Sequence, residues 1–222
     1  FAMAPGNVSI KATFEPDIPD DILKVIPDPV FREFCRRFDT DGDGKLSPEE
    51  AAVVDFMDLF FPMGEKIGSL EGIEYFTGLT FLDCSNHEIT TLDLSRNTRL
   101  TELYCNSGQL TSLNITQCPD LLYLYCSENQ LTELDLTNNP LVEELSCQRN
   151  RLTALDLKNK PRLTEVDCSS NLIEELGLSD CFALGKLNCE HNLLSSLHVA
   201  SRALWSLSCN DNSLASLDVA GN

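Results

Sequence analysis

The sequence predicts a β-rich solenoid whose coils take 21 residues each and contribute two short strands. From Leu79 onward the chain repeats the pattern Leu-x-x-Leu-x-Cys-x-x-Asn-x-Leu-x-x-Leu-x-Leu. The marker cysteines of this pattern are spaced by 21 residues five times and then by 20; they are Cys84, Cys105, Cys126, Cys147, Cys168, Cys189 and Cys209. A fixed period of this size is typical of stacked repeats. Because both halves of each unit alternate with period two, we expect one strand on each of two opposite sides of a coil.

The marker cysteines stand where leucine-rich repeats usually carry leucine, so their side chains should point into the core as small apolar fillers. Cys118 and Cys181 share another position, thirteen residues after a marker cysteine, which holds Asn97, Asn139 and Asn222 in other repeats. Three coils at a strand spacing of about 4.8 Å would place Cys118 and Cys181 roughly 14 Å apart, too far for a disulfide. We therefore expect free thiols throughout.

A column of asparagines should hydrogen-bond the turns of successive coils. It comprises Asn129, Asn150, Asn171, Asn192 and Asn212. His87 and Gly108 take this position in the first two repeats, which should loosen the ladder there.

Composition limits the range of functions. The chain has 222 residues and a formal net charge of −19. Such a charge repels nucleic-acid phosphates and anionic lipids, and it favours cations such as calcium. No signal peptide is visible, and the apolar runs are too short for a membrane-spanning helix.

The sequence divides into an extended N-terminal arm over residues 1–27, a helical cap over 28–66 and the solenoid over 67–222. We expect a short helical turn at 20–25. One helical face of the cap is apolar and includes Val30, Phe31, Phe34, Cys35 and Phe38. A second amphipathic helix is predicted over 51–59.

Between these two helices lies a twelve-residue loop with the EF-hand calcium pattern. Its expected ligands are oxygen donors at loop positions 1, 3, 5, 7, 9 and 12; they are Asp39, Asp41, Asp43, the carbonyl of Lys45, Ser47 and Glu50. Gly44 permits the sharp turn, and Leu46 should point inward. Carboxylates at this spacing would repel one another without a divalent cation. The alternative is a loop that keeps the shape and binds nothing.

No second calcium loop is present to pair with this one. A single hand must bury its apolar helix faces elsewhere, and the first coil of a solenoid needs a cap. We therefore expect the EF-hand-like loop and its two helices to cover the N-terminal end of the solenoid, where bound calcium would have a structural role.

The block Leu70–Asn86, after an EF-hand-like cap, resembles secreted or surface leucine-rich-repeat proteins of gut and oral Bacteroidetes. It is also similar to the internalin arrangement, in which a truncated EF-hand-like cap precedes irregular repeats. The resemblance covers residues 29–222. It implies export, to the cell surface or beyond, and an adhesive or recognition role without enzyme chemistry. One departure is that internalin-type caps lack an intact calcium loop, whereas Asp39 to Glu50 is complete.

The side chains that point outward on the Cys strands are the candidate ligand-binding surface. Four aromatic ones cluster on the first three repeats: Phe81, Tyr104, Tyr123 and Tyr125. Exposed rings on a flat sheet can bind protein or glycan, or can merely shield the sheet by stacking across strands. The outward column of the opposite strands is acidic, and we interpret it as a solvated face.

No nucleophile, base and carboxylate converge in the pattern, and no phosphate-binding glycine loop occurs, so we expect no enzyme. The leading hypothesis is a recognition module for a protein or glycan. The alternative is an architectural or self-assembling repeat protein without a dedicated ligand. The last coil shows no evident cap, which favours end-to-end association or a missing continuation of the chain.

Overall fold

The computed structural model describes residues 19–59 and 64–220. Over these residues the chain is a parallel β-solenoid with 21-residue spacing and a small helical N-terminal cap, as predicted. The predicted extended arm lies largely outside the described residues, as do Asn222 and part of the connector between cap and solenoid.

Fourteen three-residue strands, β1 to β14, occur among the described residues. Eight of them form one continuous parallel sheet, here called the Cys face: β1 (Phe56–Asp58), β2 (Phe81–Asp83), β4 (Glu102–Tyr104), β6 (Tyr123–Tyr125), β7 (Glu144–Ser146), β9 (Glu165–Asp167), β11 (Lys186–Asn188) and β13 (Ser206–Ser208). Equivalent residues pair across every junction, so each predicted outward column is continuous. In the Cys-face strands from β1 to β11 the middle residue is buried, and the residues flanking it face solvent.

The opposite side of the solenoid is interrupted. Its strands pair into three separate two-stranded sheets, β3 (Thr91–Asp93) with β5 (Ser112–Asn114), β8 (Ala154–Asp156) with β10 (Glu175–Gly177), and β12 (Ser196–His198) with β14 (Ser216–Asp218). The coil that contains Leu134 has no strand on this side, although Leu134 itself is buried. The expectation of two strands in every coil is therefore wrong for this coil.

The marker cysteines lie in the core as expected. Those from Cys84 to Cys189 are buried, and all ten cysteines of the chain are free thiols. Burial raises the pKa of these thiols, that of Cys126 and of Cys189 to about 12. They are therefore protonated at neutral pH and act as apolar filling rather than as nucleophiles or metal ligands.

The asparagine column forms the predicted ladder. In each of the five asparagines the amide nitrogen donates to the carbonyls of two successive marker cysteines. The amide oxygen of each accepts a backbone N–H from the previous coil. Asn150 illustrates the pattern: its Nδ2 donates to Cys126 O at 2.9 Å and Cys147 O at 3.0 Å, and its Oδ1 accepts from Leu131 N at 3.0 Å. One side chain thus joins consecutive coils in the dry interior.

His87 continues the ladder instead of loosening it, so that expectation is wrong. The ring is 5% exposed. Its Nδ1 accepts the N–H of Ile67 at 3.3 Å, and its Nε2 lies 2.8 Å from Leu59 O. Because the Ile67 amide can only donate, the neutral ring carries its proton on Nε2 and has the donor and acceptor of an asparagine amide. At Gly108 the side chain is absent and only the backbone N–H bonds the next coil.

Stability should therefore depend on the protonation of His87. Burial lowers the pKa of His87 in the folded chain below its usual 6.5; the hydrogen bond to Leu59 opposes this shift, and the charge of Lys66 adds to it. The unfolded chain then binds a proton first, so the stabilising effect of the neutral ring is complete above pH 6.5 and is lost as the pH falls through 6.5 toward the folded value. His87→Asn should flatten the decline in urea midpoint between about pH 7 and pH 5. His191→Asn, at an exposed histidine, should leave it unchanged, and an unaltered decline in His87→Asn would contradict this assignment.

A second ladder runs through the position shared by Asn97, Cys118, Asn139 and Cys181. Each of these side chains donates to a carbonyl of the preceding coil. Lys160, 2% exposed, takes the same position, and its ammonium donates to Leu136 O at 2.8 Å and Asn139 O at 3.4 Å. A buried lysine in the middle of a polar slot was not expected from the sequence.

The cap consists of short helical segments. They are a 3-10 turn (Ile22–Lys24), helix α1 (Pro29–Cys35), a 3-10 turn (Arg36–Phe38) and helix α2 (Pro48–Ala52). Asp28 caps α1 by accepting from the amides of Val30 and Phe31, and Pro29 occupies the first turn, where no amide is needed. A capping box of Ser47 and Glu50 starts α2.

The predicted helix over 51–59 is wrong beyond Ala52. Residues Phe56–Asp58 form β1, which pairs in parallel with β2. Pairing with the exposed edge of the first coil prevails over the local helical pattern, since a bare edge would leave backbone groups unpaired. The cap thus supplies the first strand of the Cys face, and Phe31 and Phe38 pack on Phe76 beneath it. No described helix is long and apolar enough to cross a membrane.

Candidate functional site

The four predicted aromatic residues lie on the N-terminal half of the Cys face, as their columns required. Phe81 and Tyr123 occupy the first strand position, and Tyr104 and Tyr125 occupy the third. All four are half-buried. Rings therefore cover this part of the outward side of the sheet.

Three of these rings and a fourth, Phe56, form one continuous stack. Phe56 lies parallel to Phe81 with ring centroids 4.4 Å apart, Phe81 is tilted on Tyr104 at 5.5 Å, and Tyr104 lies parallel to Tyr125 at 4.7 Å. Stacked rings hold one another in place. The stack spans four strands from β1 to β6 and begins with the cap.

Phe56 was missed from the sequence because its segment was interpreted as helix. The side chain is 55% exposed and belongs to β1. The alternation in Phe56, Met57 and Asp58 is the signal that could have revealed it, since Met57 is buried and its neighbours are exposed.

Tyr123 lies in the same patch but outside the stack. Its hydroxyl is 3.5 Å from Glu143 Oε2, while the hydroxyl of Tyr125 donates to Glu144 Oε2. We refer to Phe56, Phe81, Tyr104, Tyr123 and Tyr125 together as the aromatic patch.

Burial and nearby carboxylates raise the pKa of the three tyrosines of the patch. The charge of Glu143 is the largest cause of the raised pKa of Tyr123. Burial, reinforced by Glu102, raises the pKa of Tyr104, and burial with the hydrogen bond to Glu144 raises that of Tyr125. The three phenols are therefore hydrogen-bond donors in a field of negative charge.

The acidic loop of the cap brings its three aspartates together. Carboxylate oxygens of Asp39, Asp41 and Asp43 lie within 4.8 Å of one another. The two oxygens of Asp39 accept from Gly42 N at 2.8 Å and Gly44 N at 2.9 Å, and both glycines have positive φ. The donor set consists of hard oxygens, which suits calcium or magnesium.

Glu50 lies outside this group of three aspartates. Its Oε1 accepts from Thr40 N and Oγ1, and its Oε2 accepts from Ser47 N and Oγ. Hydrogen bonds from Ser47 and then from Thr40 lower the pKa of Glu50 to about 2. Glu50 thus ties the start of the loop to α2. Lys45 Nζ lies 3.8 Å from Asp20, and Leu46 is fully buried as predicted.

No protein-family model matches the chain. Among solved structures, the functional domain of InlJ from Listeria monocytogenes, described as including a cysteine ladder, is 32% identical with a TM-score of 0.68. That match covers 91% of this chain and 52% of the other. Internalin J of Listeria monocytogenes serotype 4b (strain F2365) is 36% identical over 91 residues, which are 40% of this chain and 10% of the relative. The chain is a leucine-rich-repeat protein that is similar to InlJ in sequence and fold.

Other structures share the fold of this internalin-like chain. An internalin, InlF, from Listeria monocytogenes has a TM-score of 0.55 at 19% identity over 92% of this chain and 85% of the other. YopM of Yersinia pestis, described as a leucine-rich effector protein, has a TM-score of 0.59 at 24% identity over 64% and 40% of the two chains. The internalin-like chain spans about half of the InlJ functional domain and about a tenth of the curated Internalin J sequence.

Proposed function

We propose that this internalin-like chain is a non-enzymatic recognition module that binds a protein through the aromatic patch of its Cys face. The observation that carries the proposal is the continuous stack of rings from Phe56 to Tyr125 on the outward side of the sheet. Solenoids present extended surfaces that suit large partners. Aromatic anchors contribute much of the binding energy in protein interfaces, and rings already held by stacking lose little entropy on binding.

The test is selection of binders from a random-peptide display library, with a glycan array in parallel for the glycan alternative. Replacing Tyr104 and Tyr125 together by alanine should weaken the selected binders by about tenfold or more, since each ring is an anchor of the patch. The matched control replaces Leu172 and Leu193, which are 48% and 49% exposed and lie outside the strands. Binders that tolerate the tyrosine pair as well as the leucine pair would refute the assignment.

We also propose that the loop from Asp39 to Glu50 binds calcium as a structural element of the cap. The ligands would be Asp39, Asp41 and Asp43, with Lys45 through its carbonyl, Ser47 and Glu50. The proposal is supported by three adjacent carboxylates whose mutual repulsion a divalent cation would relieve. Export to the cell surface, and an origin among Bacteroidetes proteins, remain predictions from the resemblance.

Calcium should raise the stability of the chain. With a dissociation constant of about 10⁻⁴–10⁻³ M, typical of extracellular modules, a few millimolar calcium would add about 1–2 kcal/mol to the free energy of unfolding relative to chelator. Asp41→Asn should abolish this response, whereas Glu49→Gln, an equal change of charge at a loop position that supplies no ligand, should preserve it. Melting curves and calorimetry measure both, and a calcium response that persists in Asp41→Asn would exclude the proposed ligand set.

One observation favours the architectural alternative. The last described coils expose Trp205, Leu217 and Val219, with exposed fractions of 70%, 49% and 40%. These side chains would be covered if copies associated end to end. Sedimentation that gives a monomer over a wide range of concentrations would exclude this association.

A further inference from the structure

We infer that the aromatic patch recognises an arginine-rich segment of its protein partner and that the carboxylate of Glu102 pairs with an arginine there. This inference rests on the proposed function, because it assigns the chemistry of the partner to the same surface.

Glu102 lies in the middle of the patch. It pairs in register with Phe81 on one side and Tyr123 on the other, and Tyr104 is two residues further along its own strand. The side chain is half-buried between these rings. Its charge contributes to the raised pKa of Tyr104, so the carboxylate and the phenol ring lie close together.

The carboxylate of Glu102 has no hydrogen-bond or ion-pair partner among the described residues. The neighbouring acids differ. Glu144 accepts from the Tyr125 hydroxyl, Asp83 accepts from Ser85 N at 2.9 Å, and Asp167 accepts from Ser169 at 2.6 Å. The carboxylate of Glu102 therefore has its full acceptor capacity available to a cationic ligand.

The charge of the surrounding face is one-sided. The twelve outward positions of β1, β2, β4, β6, β7 and β9 hold one serine, five rings and six carboxylates, the latter being Asp58, Asp83, Glu102, Glu144, Glu165 and Asp167. The nearest cation on this face is Lys186 of β11, which is already paired with Glu165 at 3.3 Å. It lies four strands from Glu102, about 19 Å away.

Rings and carboxylates in this arrangement match the guanidinium group. Arginine stacks its plane on aromatic faces while its N–H groups bond a carboxylate, and it is less strongly hydrated than the lysine ammonium. The rings around Glu102 offer such faces, and the patch supplies no cation of its own to compete. A neutral or acidic segment would leave the Glu102 carboxylate without a cationic partner, so binding of such a segment is disfavoured.

The probe is a fluorescent peptide that alternates arginine and serine, compared with the same peptide carrying citrulline, which keeps the shape and removes the charge. We expect the arginine peptide to bind the intact chain at moderate salt. The affinity of the citrulline peptide should be lower by about tenfold or more. Glu102→Gln should weaken the arginine peptide by about tenfold. Because Glu102 has no internal partner, this variant should melt like the wild type.

The control is Glu175→Gln, the same change at the first position of β10 on the opposite side of the solenoid. It should leave binding unchanged, which separates specific pairing from attraction to the net charge. Equal weakening by both variants, or equal binding of the two peptides, would overturn the inference. If display selection gives binders that need Tyr104 and Tyr125 but carry no excess of arginine, the recognition function stands and the arginine assignment fails. If no binder depends on these tyrosines, the recognition function itself fails.

Discussion

Replacing Asn150 by alanine is expected to lower the free energy of unfolding by about 3–5 kcal/mol. The side chain makes three hydrogen bonds in the interior, two as donor to Cys126 O and Cys147 O and one as acceptor from Leu131 N. Alanine removes all three bonds: Cys126 O and Cys147 O keep one donor each, from Asn129 and Asn171, but the Leu131 amide loses its acceptor in the interior. In a solenoid each coil contacts only its neighbours, so a defect in a central coil weakens the coupling between the two ends.

The matched control for this prediction is Asn138→Ala. Asn138 is exposed and lies in the turn beside the second ladder, so its loss should change stability by less than about 0.5 kcal/mol. Urea denaturation followed by circular dichroism measures both variants, and hydrogen exchange should show the largest loss of protection at the amides around Leu131. A destabilisation below about 1 kcal/mol in Asn150→Ala would mean that the ladder is not a principal link between coils.

The repeated part of the fold could be predicted because its determinants are local and periodic. The period of 21 residues and the alternation around each marker cysteine fix which side chains point inward, and the register of β2 with β4 and β6 follows from them. For the same reason Tyr104 and Tyr125 could be placed in one outward column before their 4.7 Å contact was known. Each coil has the same inward and outward residue pattern as the coil before it, so one repeat predicts the next.

The junction between cap and solenoid could not be predicted in the same way. The calcium-loop pattern suggested a long second helix, but the pairing of β1 with β2 depends on an edge that is distant in sequence. Phe56 was lost from the predicted site through this error alone. His87 and Lys160 were also not recognised as ladder members. Their side-chain N–H groups bond backbone carbonyls as the asparagine amides do, but a different residue type breaks the sequence pattern.

Gly78→Ala is expected to destabilise the chain by about 3 kcal/mol or more and to loosen the cap. A Cβ at Gly78 would lie 2.3 Å from Ala52 O and 3.0 Å from Val54 O. Both contacts are with backbone carbonyls at the end of α2, which cannot rotate aside as a side chain could. Relief requires moving the segment that leads into β1, and so disturbs the bonds from Thr80 N and Phe81 N to Asp55 O.

Gly68→Ala is the matched control, because the nearest atom to its added Cβ is a side-chain oxygen of Asp28 at an ordinary 3.7 Å. It should cost less than about 1 kcal/mol. In Gly78→Ala, hydrogen exchange should accelerate first at the amides of β1, and peptides selected on the aromatic patch should bind more weakly because Phe56 no longer supports Phe81. If β1 stays as protected as in the wild type, the cap does not rest on the first coil through this contact. The aromatic stack begins in β1, and β1 follows directly after the carbonyls that contact Gly78. The close approach at Gly78 therefore determines both how β1 pairs with the first coil and where Phe56 lies in the candidate binding surface.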